Sequence, residues 1–71
     1  MKYMAVIEKG PKSWGAYVPD LPGCVAAGQS RDEVVGLIRE AIEFHLESLK
    51  EDGAPIPEPS SEIEYIDITA A

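Results

Sequence analysis

Pro19-Asp20-Leu21-Pro22-Gly23-Cys24, followed closely by Gly28-Gln29-Ser30-Arg31-Asp32-Glu33, is the stretch of sequence that decides the fold. Its two prolines fix their own φ angles, remove two backbone donors and push the preceding residues toward extended geometry. Gly23 permits a turn that a side chain would block. Ser30 and Glu33 have the spacing of a capping box, which marks the first turn of a helix. The stretch therefore predicts a stiff turn, a short strand and the start of a helix.

Three short strands are predicted before the helix. The first covers residues 2–9, where apolar side chains point to both faces, as in a strand that is covered on two sides. Gly10-Pro11 supplies turn residues, and the short connection makes the next strand, at residues 14–18, antiparallel to the first. A third strand at residues 24–28 completes an antiparallel meander.

One long helix and a final strand are predicted after the meander. Residues 31–52 carry apolar side chains at helical spacing, with Ser30 as N-cap and Gly53 in position for a C-terminal cap. Prolines at alternate positions in residues 54–59 favour a stiff, extended segment. We expect residues 61–68 to form the last strand, which a right-handed crossover places parallel to the first. The predicted fold class is α+β, with element order βββαβ and strand order 3-2-1-4.

The size and charge of the chain limit its partners. Its 71 residues make one small domain, whose own core gives marginal stability. With 13 acidic and 6 basic residues, its net charge of −7 argues against direct nucleic-acid contact. Such a charge favours a basic protein partner, or merely gives good solubility, which is the more common explanation. One cysteine and one histidine allow no internal disulfide and give no basis for a structural metal site or a cofactor.

The sequence also predicts location and self-association. No signal-peptide h-region and no apolar run of about 18 residues is present, so no membrane contact is expected. A lone free cysteine fits the reducing cytoplasm. A single helix covers one sheet face, yet apolar residues remain on the other. We therefore expect a homodimer, a higher oligomer or a bound partner to cover that second face.

The chain resembles the HicB family of type II antitoxins over residues 3–60. The likeness is carried by the first strand and by four motifs: Gly15-Ala16-Tyr17-Val18-Pro19-Asp20-Leu21-Pro22-Gly23-Cys24, Gly28-Gln29-Ser30, Ala41-Ile42-Glu43-Phe44-His45-Leu46, and Gly53-Ala54-Pro55-Ile56-Pro57-Glu58-Pro59. The resemblance implies a partial ribonuclease H-like fold and a non-enzymatic role. It also implies a partner, a small basic HicA-type toxin that cleaves mRNA and has a double-stranded-RNA-binding-like fold. The antitoxin would cover the toxin's catalytic surface.

Domain content is the point where the chain departs from many members of that family. Such members carry a C-terminal DNA-binding domain of the helix-turn-helix or ribbon-helix-helix type. Here we expect residues 1–71 to form a single HicB-like domain without a C-terminal DNA-binding domain.

Two groups of residues are expected to contact a toxin. The first is an acidic row on the helix that would steer a basic partner, although a merely solvated face is the alternative explanation. The second is the proline-rich loop, whose residue types are equally explained as devices that shape the fold. The expected contact residues are Glu43, Glu47, Glu51, Asp20, Leu21, Pro22, Gly23 and Cys24.

Two other functions stay open at the level of sequence. One is an orphan oligomeric scaffold or regulatory domain without a toxin, which a neighbouring gene for a small basic protein would argue against. The other is a metal-dependent nuclease, which needs several carboxylates around divalent ions. Glu8, Asp20, Glu40 and Asp67 are available for such a site, but their spacing forms no recognisable cluster.

Overall fold

A three-stranded antiparallel sheet with one long helix on one face forms the body of the protein, in a computed structural model that describes residues 1–70. The strands are β1 (Val6–Lys9), β2 (Trp14–Tyr17) and β3 (Val25–Gly28), and the helix is α1 (Arg31–Glu51). The α+β class, the meander and the helix are thus confirmed. β1 is shorter than predicted because its ladder begins opposite Tyr17, the last residue of β2, which ends two residues before Pro19.

The sheet has two unlike faces. Ile7, Ala16 and Ala26 lie opposite one another in the ladder and pack toward the helix, with Ala16 buried. The other face, which we call the outer face, carries Val6, Tyr17 and Val25 at the adjacent ladder position. Tyr17 is 43% exposed and Val25 is 63% exposed, so α1 leaves the outer face uncovered.

Both ends of α1 follow from their residue types. The Ser30 hydroxyl accepts the Glu33 amide at 3.1 Å, while the Glu33 carboxylate accepts the amide of Gln29, one residue earlier than a capping box predicts. At the other end Gly53 has φ of 69°, and the amides of Gly53 and Ala54 donate to the carbonyls of Lys50 and Leu49. That pair of bonds is a Schellman motif, which needs glycine at this position.

The predicted fourth strand is wrong for this chain. The sheet order is β1-β2-β3 instead of 3-2-1-4, and residues 61–70 have no regular secondary structure. A β-strand is defined by backbone hydrogen bonds to a neighbouring strand, and residues 61–70 form no such ladder with β1. Its large apolar side chains are 66–87% exposed, namely Ile63, Tyr65, Ile66 and Ile68. We call residues 62–70 the tail.

Within residues 1–70, no helix combines the length and the apolar character that a bilayer span requires.

Candidate protein-docking site

The loop between β2 and β3 is built from two consecutive turns. The Leu21 amide donates to the Val18 carbonyl at 3.1 Å, and the Cys24 amide donates to the Leu21 carbonyl at 3.0 Å. Each turn has proline at its second position, and Gly23 at the third position of the second turn has φ of 84°, as a type II turn requires. A further bond from the Val18 amide to the Cys24 carbonyl closes the loop. The predicted stiff turn is therefore present.

This loop points two of its expected contact residues inward. Leu21 is 0% exposed and Cys24 is 3% exposed, and both belong to the core with Val34 of the helix. Burial raises the pKa of the Cys24 thiol, which disfavours the reactive thiolate. Leu21 and Cys24 are thus not accessible to a partner, which corrects the expectation for them. Pro22 and Gly23 are exposed and remain available.

Asp20 anchors the C-terminal part of the chain. Its carboxylate accepts bonds from the amides of Ser60 and Ser61, each at 3.0 Å, and from their hydroxyls at 3.1 and 2.7 Å. These four bonds, led by those from Ser61, lower the pKa of Asp20 to about 2. The contact between Asp20 and Ser60 spans 40 residues of chain.

Tyr3 adds a second contact to this anchor. Its hydroxyl donates to the carbonyl of Pro57. Desolvation, followed by the nearby carboxylates of Glu58 and Asp20, raises the pKa of Tyr3, so the hydroxyl stays protonated as a donor. We refer to the contacts of Tyr3 and Asp20 with residues 57–61 as the C-terminal anchor.

The acidic row of α1 lies on its solvent side. Glu43, Glu47 and Glu51 are all exposed and follow one another at intervals of four residues, which places them along one side of the helix. Glu40 continues the row toward the N-terminus, whereas Val34 and Ile38 on the opposite side are buried. We call the four glutamates the acidic face. Beside it, a shallow cleft of about 340 Å³ is lined by Glu43, Leu46, Glu47, Lys50 and Ile56.

Phe44 is the residue of this region that sequence reasoning missed. Its spacing places it at the margin of the apolar stripe, yet the side chain is 73% exposed next to the acidic face. Leu37, two turns earlier, is 38% exposed on the same side. An exposed aromatic side chain with a charged rim is typical of the anchor of a protein–protein interface. The helical wheel could have predicted this exposure, because Phe44 falls closer to Glu40 and Glu47 than to the buried Ile38.

The carboxylates considered for a nuclease site are not brought together. Among residues 1–70, no three histidine, cysteine, aspartate or glutamate side chains are placed where they could hold a metal ion. Asp20, one of the candidates, is engaged by two serines instead. No cluster of carboxylates in this part of the chain therefore supports the nuclease alternative.

Comparison with known proteins identifies the family. A sequence model described as "HicB_like antitoxin of bacterial toxin-antitoxin system" matches residues 3–70. The chain belongs to this HicB-like antitoxin family. A solved structure of a "HicA3 and HicB3 toxin-antitoxin complex" contains a chain that superposes with a TM-score of 0.67 at 31% identity, covering 83% of this chain and 72% of that one.

Relatives of this chain differ in length. A UPF0150 protein of Thermoplasma acidophilum is 38% identical over 63 residues, which is 87% of this chain and 91% of the relative. An uncharacterised 14.9 kDa protein of Haemophilus phage HP1 is 38% identical over 93% of this chain, and Antitoxin HicB 2 of Photorhabdus laumondii is 26% identical over all of it. This chain spans only 50% and 52% of those two relatives.

Proposed function

We propose that this HicB-like chain is an antitoxin that binds a small basic HicA-type toxin and blocks mRNA cleavage by covering the toxin's catalytic surface. Membership of the antitoxin family and the similarity to a chain of a HicA–HicB complex support this role. The inhibition is steric and electrostatic, so the chain needs no catalytic residues of its own. Because such a toxin acts on mRNA, we place the pair in the cytoplasm.

The observation that carries the proposal is the acidic face with Phe44 beside it. An acidic surface attracts a basic toxin over distances of roughly 10 Å at 0.1 M salt. The aromatic ring supplies the apolar contact that charges alone do not give, because exposed ion pairs contribute only about 0–1 kcal/mol each. We therefore assign steering to Glu43, Glu47 and Glu51, and close packing to Phe44. Pro22 and Gly23 form a secondary contact.

The test uses a catalytically active HicA-type toxin, for which a small basic protein encoded by a gene next to that of this chain is the candidate to purify. Cleavage of a labelled mRNA by that protein should stop when the HicB-like chain is added at equimolar concentration. Phe44→Ala should raise Kd on the order of 30-fold, as the loss of an aromatic anchor worth about 2 kcal/mol does.

Val25→Ala is the matched control, because Val25 is 63% exposed on the outer face, away from α1. It should bind the toxin as the unmodified chain does. Equal effects of the two substitutions, or uninhibited cleavage by the neighbouring protein, would contradict the assignment.

The uncovered outer face favours a second candidate function. Val6, Tyr17 and Val25 form an apolar patch that suits an oligomeric scaffold or regulatory domain without a toxin. That role predicts self-association that Val25→Asp abolishes, together with no effect of the chain on the neighbouring protein. The antitoxin role predicts inhibition whether or not this patch is altered.

A further inference from the structure

An apolar groove of about 550 Å³ runs between the N-terminal segment and α1. One wall of the groove comes from residues that directly precede β1, and β1 is an edge strand of the sheet. The backbone along the outer edge of an edge strand is free to pair with another extended segment. Most of its lining is apolar, including Tyr3, Ala5, Val35, Ile38, Ile42 and Leu46. The fold therefore presents a strand edge and an apolar floor side by side.

The tail has the complementary properties. Ile63, Tyr65, Ile66 and Ile68 are large, β-branched or aromatic residues, which favour strands, and they are 66–87% exposed. Nine residues in extended conformation reach about 30 Å, which is longer than the four-residue β1. No other segment of residues 1–70 exposes so many large apolar side chains in succession.

Charge also matches the tail to the groove. Lys2 and Arg39 line the groove together with Glu43, which gives it a positive balance, and Lys9 ends β1. The tail carries three acidic residues, Glu62, Glu64 and Asp67. If two tails paired with each other, their carboxylates would lie close together, and the repulsion between like charges would be unfavourable. The basic groove is thus the better partner for the tail.

The tail does not occupy its own groove, because none of residues 62–70 is among the residues that line it. Asp20 and Tyr3 hold residues 57–61 on the body, and beyond this point every tail residue is exposed. The molecule is 52 Å long, whereas the 21-residue helix accounts for only about 31 Å. A second copy can supply the tail that the groove accommodates.

We propose that two copies of this chain exchange tails. Each tail lies as an added strand along the outer edge of β1 of the other copy. Ile66 and Ile68 enter the groove, and Glu62 and Glu64, which alternate onto the same face of the strand, lie near Lys2 and Arg39. The arrangement is two-fold symmetric, because the same groove and the same tail are used twice. It leaves Phe44 and most of the acidic face exposed, so a toxin can bind the dimer.

Light scattering of the full chain after size-exclusion chromatography tests the exchange. The unmodified chain should be a dimer, and Ile66→Asp with Ile68→Asp should be a monomer with unchanged helical circular dichroism. Val25→Asp on the outer face should stay a dimer. Ile42→Glu in the groove should also give a monomer, and where that variant fails to fold, the exposed Arg39→Glu should weaken the dimer several-fold.

Each other outcome overturns the proposal. A monomeric unmodified chain whose tail amides resist hydrogen exchange means that the tail closes on its own body. A dimer that survives the tail substitutions but is lost in Val25→Asp assembles through the outer face. If the dimer tolerates both groove variants but is lost when the isoleucines of the tail are replaced, the two tails pair with each other.

Discussion

Replacing Leu21 by alanine tests whether the proline-rich loop serves the core. Leu21 is 0% exposed, and the substitution removes three carbons from that site. At about 0.8 kcal/mol per carbon, the lost transfer free energy is about 2.4 kcal/mol. The cavity left behind brings the expected loss to about 3–5 kcal/mol. A chain of this size has a total free energy of unfolding of about 4–10 kcal/mol, so the variant should be close to unfolding.

Urea denaturation followed by the circular dichroism of α1 measures that loss. The matched control is Pro22→Ala in the same loop, because Pro22 is exposed and its replacement should change the free energy of unfolding by at most about 1 kcal/mol. A loss below about 1 kcal/mol for Leu21→Ala would refute the assignment of this loop to the core and would restore Leu21 as a surface contact.

Three further predictions concern single positions. Gly36→Ala should raise the free energy of unfolding by about 1 kcal/mol in thermal denaturation, since nothing lies within 4 Å of the added carbon and alanine favours the helix. Gly53→Ala should lower it by about 1 kcal/mol, because φ of 69° is unfavourable for alanine. Asp20 has a pKa lowered from 3.8 to about 2, so its anchor stabilises the fold above pH 4 and is lost as pH falls toward 2. The amide resonances of Ser60 and Ser61 should report this titration in NMR spectra, and Asp20→Asn should remove it.

Local chemistry explains why most of the fold was predictable. The two turns of the loop, the Ser30 cap and the Gly53 motif each depend on residues a few positions apart, so sequence spacing reveals them. The contact between Asp20 and Ser60 joins residues that are 40 positions apart, so no local sequence pattern predicts it. The tail was also difficult to predict. Its residues have a preference for strands, but whether a strand forms depends on which sheet edge the segment can reach.

The candidate site was predictable only in its charges. Spacing by four residues placed the acidic face on the solvent side of α1, as the structure shows. The sequence did not show which loop residues are buried and which are exposed. Leu21 and Pro22 are adjacent, yet Leu21 is buried and Pro22 is exposed. Helical spacing puts Phe44 at the margin of the apolar stripe, but spacing alone does not give the width of the stripe that the sheet covers.

The rate of association with the toxin tests the central claim most directly. Glu43→Lys with Glu47→Lys reverses two charges on the acidic face, and Glu8→Lys with Glu58→Lys makes the same change in net charge at exposed positions elsewhere. In stopped-flow measurements at low salt, the first variant should associate with the proposed HicA-type toxin at least about tenfold more slowly, and the deficit should shrink as salt rises. The second should associate nearly as fast as the unmodified chain. Equal rates for the two variants would contradict the docking of the toxin on this face.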